Sequence, residues 1–378
     1  MTERIRANWF AALVRSWPLL IIPVALSVLG ILTMHPFDGV VSLAPRQLIW
    51  LGVGVVAFSV CAISDMRFIR RTPVIITGYL LVCGLLAVLL VLGHATMGAK
   101  SWFNFGFFSF QPADAAKVVV IALLAKYFSR RHMEIGHISH IIVSGIYIAA
   151  IVLLVLVQPD LGTAVILLSV WFGLVLVSGI PLRHLALVLT LGLVAAAGLW
   201  SFGLHSYQRA RIMNFVNPAA DIHGSGYNAY QATVAAGSGQ VWGKGIGYGT
   251  QSKLRFLPEY ETDFIFAAFA EEWGFAGVLL VFALYGILFL QLIHIARRSA
   301  TNFDALFSVG VLILLLAHVA IHAGINLGIL PVTGTTIPFM SSGGSHLVME
   351  FAALGIVASL AREGRSVPRD QAGQEYEG

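Results

Sequence analysis

A chain of 378 residues that is 58% hydrophobic and only 11% charged cannot cover a water-exposed surface, where roughly a quarter of residues are charged. A mean hydropathy of +0.85 points to a polytopic membrane protein and excludes disordered, collagen-like and disulfide-stapled chains. Cys61 and Cys83 lack metal-ligand spacing, and the net charge of +5 is scattered between apolar runs, so nucleic acid is not an expected partner.

A bilayer core needs about 20 apolar residues per helix, and ten such runs fall at roughly 17–34, 46–64, 73–93, 112–128, 137–157, 161–179, 183–203, 273–296, 303–329 and 345–361. The expected fold is all-α, because a lipid-exposed segment must satisfy its backbone polar groups internally. Ten spans put both termini on one side. Arg4, Arg6, Arg15, Arg67, Arg70, Arg71, Lys126, Arg130, Arg131, Arg183, Arg297, Arg298, Arg362, Arg365 and Arg369 fall on that side. Only Arg46 and Lys100 occupy the opposite short loops. The excess of positive charge predicts cytoplasmic termini in a multi-pass protein of the cytoplasmic membrane. Residues 204–263 then form a large extracytoplasmic loop between helices 7 and 8. Its Tyr207, Phe215, Tyr227, Tyr230 and Trp242 are expected to fold against the membrane surface, and loops this long usually carry function. Residues 1–365 read as one transmembrane domain, and the polar tail 366–378 as disordered and cytoplasmic.

Charge in or beside a span is costly and marks candidate chemistry. Asp114 and Lys117 are spaced i,i+3, on one helix face. Lys117 is either a fixed cation for a phosphate or half of an ion pair that lets a polar helix end insert. Asp160, in Gln158-Pro159-Asp160-Leu161-Gly162-Thr163, reads mainly as a helix cap. Glu259, Glu261 and Asp263 crowd the end of the long loop, followed by Glu271 and Glu272. A partly desolvated carboxylate there would have the raised pKa a general base needs. Such a cluster could also hold a divalent cation, or simply cap the next helix.

Arg209, Arg211, Lys244, Lys253 and Arg255 are candidates for a pyrophosphate cradle or for lipid headgroups. The glycines from Gly237 to Gly249 fail the P-loop spacing and predict turns or close backbone approach instead. The stretch from Leu330 to Ser345 is uncharged and rich in hydroxyls, including Ser341 and Ser345, and suits either a sugar or tight packing. His318 and His322 lack a third metal ligand and predict interior hydrogen bonding. Glu350, inside the tenth span, must have a buried partner.

Together these residues resemble the SEDS proteins (shape, elongation, division and sporulation; the RodA, FtsW and SpoVE group) along nearly the whole chain. The resemblance rests on Gly98-Ala99-Lys100-Ser101-Trp102, Gln111-Pro112 with Lys117, Pro159-Asp160-Leu161-Gly162-Thr163, and Tyr207-Gln208-Arg209 through Asn217-Pro218. It continues in Gly243-Lys244-Gly245, Gly249-Thr250-Gln251-Ser252, Phe256-Leu257-Pro258-Glu259, Thr262-Asp263-Phe264-Ile265-Phe266, Leu330-Pro331-Val332-Thr333-Gly334 and Gly343-Gly344-Ser345. Several of these forms look closer to the RodA branch than to FtsW.

The resemblance implies a peptidoglycan glycosyltransferase for cell elongation and rod shape. It would polymerise lipid II at the outer face of the cytoplasmic membrane, with a class B penicillin-binding protein as partner. Asp263 matches the family's catalytic carboxylate. Substrate contacts are expected from Lys117, Asp114, Asp160, Arg209, Arg211, Lys244, Glu259, Ser341 and Ser345, and Mg²⁺ or Mn²⁺ at Asp263 and Glu259. The chain departs from the family pattern at Asp114 (usually Glu), Glu261 (usually His), His322 (usually Asn) and Ser342 (usually Tyr). It also lacks a Pro near Thr336 and carries Glu350. A lipid II flippase or a non-catalytic scaffold are the competing readings. The carboxylates gather at one face and no internal repeat is evident, which favours the enzyme.

Overall fold

The computed structural model describes residues 2–35, 43–92, 101–106, 109–130, 137–216, 226–254, 256–257 and 259–363. The expected disordered tail at 366–378, together with Lys100, Arg131, Arg255, Arg365, Arg369 and Asn217-Pro218, lies outside the described residues.

Each of the ten expected spans corresponds to a helix. The first seven are α1 (Thr2–Met34), α2 (Leu43–Ile63), α3 (Thr72–Leu92), α4 (Pro112–Ser129), α5 (Ile138–Val157), α6 (Leu161–Val177) and α7 (Leu182–Gly198). A π turn at Leu199–Gly203 extends α7. Within the long segment that follows lie α8 (Ser206–Val216), α9 (Tyr227–Ser238) and α10 (Thr250–Lys253). The last three spans are α11 (Ile265–Arg297), α12 (Asn302–Asn326) and α13 (Gly344–Glu363). Among the described residues, eight helices are long and apolar enough to cross a bilayer. The other two are short: α6 has 17 residues, and α4 has 18 that include Asp114, Lys117 and Lys126. The chain is an all-helical polytopic membrane protein. One feature was not expected: a two-stranded antiparallel hairpin pairs β1 (Phe103–Asn104) with β2 (Ser109–Phe110).

The aromatic core runs through Phe58, Phe128, Phe266, Phe307, Phe339 and Phe351, all fully buried. α2 and α13 approach closely because Gly355 lies against the backbone of Phe58, where a Cβ would collide. Outward, Leu80, Leu81, Val91, Leu193 and Leu290 are exposed, and α7 has no buried residue. So much exposed apolar surface is a lipid-facing surface. At the arginine-rich end of the bundle, Arg70 pairs with the buried Asp304 at 2.8 Å, and Arg362 donates to the carbonyls of Ala62 and Ile63.

α11 begins at Ile265, well before the expected start near residue 273, because it is two helical pieces joined at Gly274. Gly274 has φ +67°, a conformation that glycine adopts without steric cost. The break frees carbonyls and N–H groups that an unbroken helix would pair. The glycine-rich turn supplies the replacements. Lys244 N and Gly245 N donate to the carbonyls of Glu271 and Glu272 at 3.0 Å. Phe275 N and Ala276 N donate to the carbonyls of Gln240 and Val241 at 2.8 and 3.0 Å. Gly243 must be glycine, since its φ is +79° and a Cβ would meet the Glu272 carbonyl. Gly239 and Gly243 therefore make the close backbone approach expected of this stretch.

Candidate active site

The first turns of α4 and α6, the turn before α11 and the loop before α13 meet around a polar cavity of about 320 Å³. That lies within the range of about 300–1,000 Å³ typical of ligand pockets. Asp114, Lys117, Asp160, Arg211, Glu259 and Asp263 all line it, although they span nearly 150 residues of sequence. A smaller cavity of about 170 Å³ adjoins it through Pro159, Arg211 and Thr333, and is otherwise largely apolar, with Leu161, Val165, Ile212, Ile321, Leu330 and Val332. Arg211 stands where the two meet.

Asp263 is the last residue but one before α11, and both its backbone N–H and its carbonyl are held. Its N–H donates to the carbonyl of Glu259 at 3.1 Å, and its carbonyl accepts from Asn326 Nδ2 at 3.0 Å. Asn326, at the end of α12, also uses Oδ1 to cap Ala267 N at 3.0 Å, so one amide ties the two elements together. The neighbouring Thr262 carbonyl accepts from the Ser341 hydroxyl at 2.8 Å, and the Glu261 carbonyl from Ser342 N at 2.8 Å. Glu259 turns the chain with φ +52°, an uncommon backbone state for a residue with a side chain. Burial, and then the charge of Glu259, pushes the Asp263 carboxyl up from 3.8 to about 6, against the pull of Arg211. A carboxylate so tuned is ionised at neutral pH and still basic enough to accept a proton.

Asp160 caps α6, accepting from Thr163 N at 2.9 Å and the Thr163 hydroxyl at 2.8 Å, and from Gln111 Nε2 at 3.2 Å. It therefore fulfils the cap reading while also facing the cavity. Lys117 pairs with Asp114 at 3.0 Å, and both are buried. The ion pair and the cavity position are two aspects of one arrangement, so the two readings of Lys117 are not exclusive.

Four expected contact residues do not line the cavity. Arg209 turns away and donates to the Ser201 carbonyl at 3.1 Å. Lys244 pairs with Glu271 at 2.7 Å. Ser341 is a latch, donating to Thr262 and accepting from Ile337 N at 3.0 Å. Ser345 supports the cavity from behind, donating to Asp114 at 2.6 Å. Glu271 is also structural: it accepts from Lys244, the Thr250 N–H and hydroxyl, and Gln251 N. Glu272 accepts from Gly247 N at 2.8 Å. These two carboxylates fasten the glycine-rich turn to the broken helix.

His318 and His322 hydrogen-bond to the interior carbonyls of Thr336 and Thr335 at 3.1 and 2.7 Å, matching the expectation. Sequence reasoning missed His346. It lines the cavity, contacts Asp114 at 3.3 Å, and reaches Glu350 at 2.9 Å. The i,i+4 spacing of His346 and Glu350 was the available signal.

A family model described as a cell cycle protein, covering FtsW, RodA and SpoVE, matches residues 8–366. The peptidoglycan glycosyltransferase MrdB of Escherichia coli (strain K12) is 36% identical over 282 residues, which cover 75% of this chain and 76% of that protein. A chain in a structure of a peptidoglycan synthase complex, concerned with the coordination of polymerization and crosslinking, has 30% identity and a TM-score of 0.79, covering 93% of this chain and 98% of that one. The rod shape determining protein RodA of Thermus thermophilus has 31% identity and a TM-score of 0.69, covering 92% and 97%. The chain belongs to the FtsW, RodA and SpoVE family and is a peptidoglycan glycosyltransferase.

Proposed function

We propose that this chain polymerises lipid II into glycan strands for cell elongation, with Asp263 as the general base. One observation carries the reading: a carboxyl group raised to about 6 faces a polar cavity that also presents Lys117 and Arg211. In the proposed reaction Asp263 takes the proton of the acceptor sugar hydroxyl. The hydroxyl oxygen bonds to the anomeric carbon of the donor as the bond from that carbon to the pyrophosphate oxygen breaks. Undecaprenyl pyrophosphate leaves with the bonding electrons. Lys117 and Arg211 stabilise the negative charge on the leaving group, the kind of fixed electrostatic complement that contributes most to such reactions. The adjoining apolar cavity suits the start of the lipid tail, and in this reading the pyrophosphate would lie near Arg211.

A divalent cation, Mg²⁺ or Mn²⁺, suits Asp263 and Glu259 only with substrate phosphate oxygens completing its shell. Among the described residues no three His, Cys, Asp or Glu side chains gather to hold a metal ion. Mg²⁺ is commonly held by one or two carboxylates plus substrate phosphates. Bound there, it would add positive charge beside the leaving pyrophosphate.

The proposed orientation puts both termini in the cytoplasm and Asp263 at the outer face of the cytoplasmic membrane. The excess of Arg and Lys in the loops at the other end supports it. A class B penicillin-binding protein is the proposed partner, supported by the likeness to a chain of a peptidoglycan synthase complex. The test is polymer formation from purified lipid II by wild type and Asp263→Ala, with and without a chelator and the co-purified partner. Polymer from wild type alone supports the assignment. Equal polymer from both removes Asp263 as the base.

A further inference from the structure

Four ionisable side chains form a continuous buried line from the cavity wall into the bundle. Lys117 Nζ lies 3.0 Å from Asp114 Oδ1. The same oxygen lies 3.3 Å from His346 Nδ1, and the other ring nitrogen of His346 lies 2.9 Å from Glu350 Oε1. Glu350 Oε2 accepts from Phe339 N at 3.0 Å, and Asp114 Oδ2 from the Ser345 hydroxyl at 2.6 Å. Relative exposures are 2%, 5%, 6% and 4% for Asp114, Lys117, His346 and Glu350. Buried charges on this scale persist only when paired. Two carboxylates face two bases, and the set is neutral when His346 carries both ring protons, with Nδ1 on the Asp114 side and Nε2 on the Glu350 side. His318 packs beside the imidazole with ring centroids 4.9 Å apart. The charged and titratable groups around His346 are Asp114 and Lys117 of α4, His318 and His322 of α12, and Glu350 of its own helix. Tyr285 of α11 faces Glu350.

The four are not equivalent as seen from the cavity. Asp114, Lys117 and His346 line it, whereas Glu350 lies behind them. Without His346, Asp114 would cancel the charge of Lys117 at the wall. With His346 in place, Asp114 is shared between two cations, and this group of three side chains carries one positive charge in excess at the wall. Glu350 is the counterion that lets the imidazolium reside there.

We propose that His346, anchored by Glu350, is a positioning residue: it shares the Asp114 carboxylate and so leaves the Lys117 ammonium available to a pyrophosphate in the cavity. This deepens the proposed function and rests on its reading of Lys117 as a phosphate-binding cation. The test is binding of inorganic pyrophosphate to the purified full-length chain in detergent, by calorimetry, alongside polymerisation from lipid II.

The paired variant His346→Gln/Glu350→Gln replaces an ion pair by two amides of similar size and orphans no buried charge. It is expected to bind pyrophosphate about tenfold more weakly, a modest effect for one unit charge at a low-dielectric wall. Lys117→Met is expected to weaken binding at least as much. Combining all three changes is expected to add nothing further, because they act through one cation. His346→Lys, which keeps a cation between the two carboxylates, is expected to restore binding to within a few-fold of wild type. A merely structural role for His346 would give additive losses and no rescue, and that result overturns the proposal. Wild-type binding by the paired variant, with loss in Lys117→Met, overturns the proposal alone. Unchanged binding in Lys117→Met overturns both the proposal and the phosphate reading of Lys117.

Discussion

Two substitutions beside Asp263 should move the pH dependence of the reaction in opposite directions. Asp263 is raised from 3.8 to about 6, first by burial and then by Glu259, while Arg211 pulls it down. A base at about 6 is almost fully ionised at pH 7.5 and only about one-tenth ionised at pH 5, so the rate at pH 5 should be roughly a tenth of the plateau. Glu259→Gln removes the repulsion, so the acid limb moves to lower pH. Burial is the larger cause and is untouched, so the limb stays above the ordinary aspartate range. Arg211→Gln removes the opposing cation and moves the limb to higher pH, with a lower plateau as well if Arg211 also meets the leaving group.

The assay is the initial rate of polymer formation from purified lipid II between pH 4.5 and 8 at constant ionic strength. Shifts of both variants in one direction, or an unmoved limb in both, refute the assignment of Asp263 as the base. A second readout follows from linkage. A carboxyl group raised in the fold binds its proton more tightly folded than unfolded. The stability it contributes is therefore fully present below the unfolded value of about 3.9 and is lost as pH rises through about 6. Asp263→Asn should then abolish polymerisation yet raise the melting temperature in detergent at pH 7.5, by about 1–3 kcal/mol of stability, with the difference vanishing near pH 4.

Asn326→Ala removes the amide that holds the Asp263 carbonyl and caps Ala267. It should cost about 1–3 kcal/mol in thermal stability and lower turnover together, because buried backbone groups are left unpaired. Gly274→Ala places a Cβ against Gly243 N and the Val241 carbonyl at φ +67°. It should abolish monodisperse protein on size-exclusion chromatography rather than merely slow the enzyme. Arg70→Ala removes an ion-pair partner of the buried Asp304 at the far end of the bundle. It should destabilise by about 3 kcal/mol while leaving the pyrophosphate affinity of the intact fraction unchanged.

The spans were legible because a bilayer imposes one strong rule, length of apolar run, and nearly every helix obeys it. α11 broke the rule through the glycine break at Gly274. Its first eight residues are buried by protein rather than by lipid, and hydropathy alone cannot separate those cases. Charge in an apolar context found Asp114, Lys117 and Asp263. It could not separate Lys117 from Lys244, because only the fold shows Lys117 at the cavity and Lys244 paired with Glu271. The departures from the family pattern are also neighbours in space. Asp114 and Glu350 share His346, the Glu261 carbonyl is bound by Ser342 N, and His322 takes the carbonyl of Thr335. Substitutions far apart in the chain meet around one site, which residue-by-residue reading could not reveal.

The number of donors each carboxylate receives explains why one aspartate among several is the candidate base. Asp114 is met by an ammonium, a hydroxyl and an imidazole. Asp160 is met by a backbone N–H, a hydroxyl and an amide. Glu271 is met by an ammonium, two backbone N–H groups and a hydroxyl. Each donor offsets part of the cost of burying the anion. Asp263 has the hydroxyl of Thr262 as its side-chain donor, faces the charge of Glu259, and is largely buried. Its backbone is fixed by Asn326 and Glu259 while its carboxylate is left under-solvated, so the fold spends its hydrogen bonds on placing the residue rather than on stabilising its charge. A substrate hydroxyl entering the cavity would supply the missing donor, and accepting its proton would relieve both the burial and the repulsion from Glu259. Adding a donor should therefore be as damaging as removing the acid. Gly334 is the place to try it, since a Cβ built there would lie 3.5 Å from Asp263 Oδ2. Its φ of +70° tolerates Asn better than most residues. Gly334→Asn should move the acid limb to lower pH and lower the plateau, in the same pH–rate assay. A limb that moves upward would mean that burial alone, and not the shortage of donors, sets the basicity of Asp263.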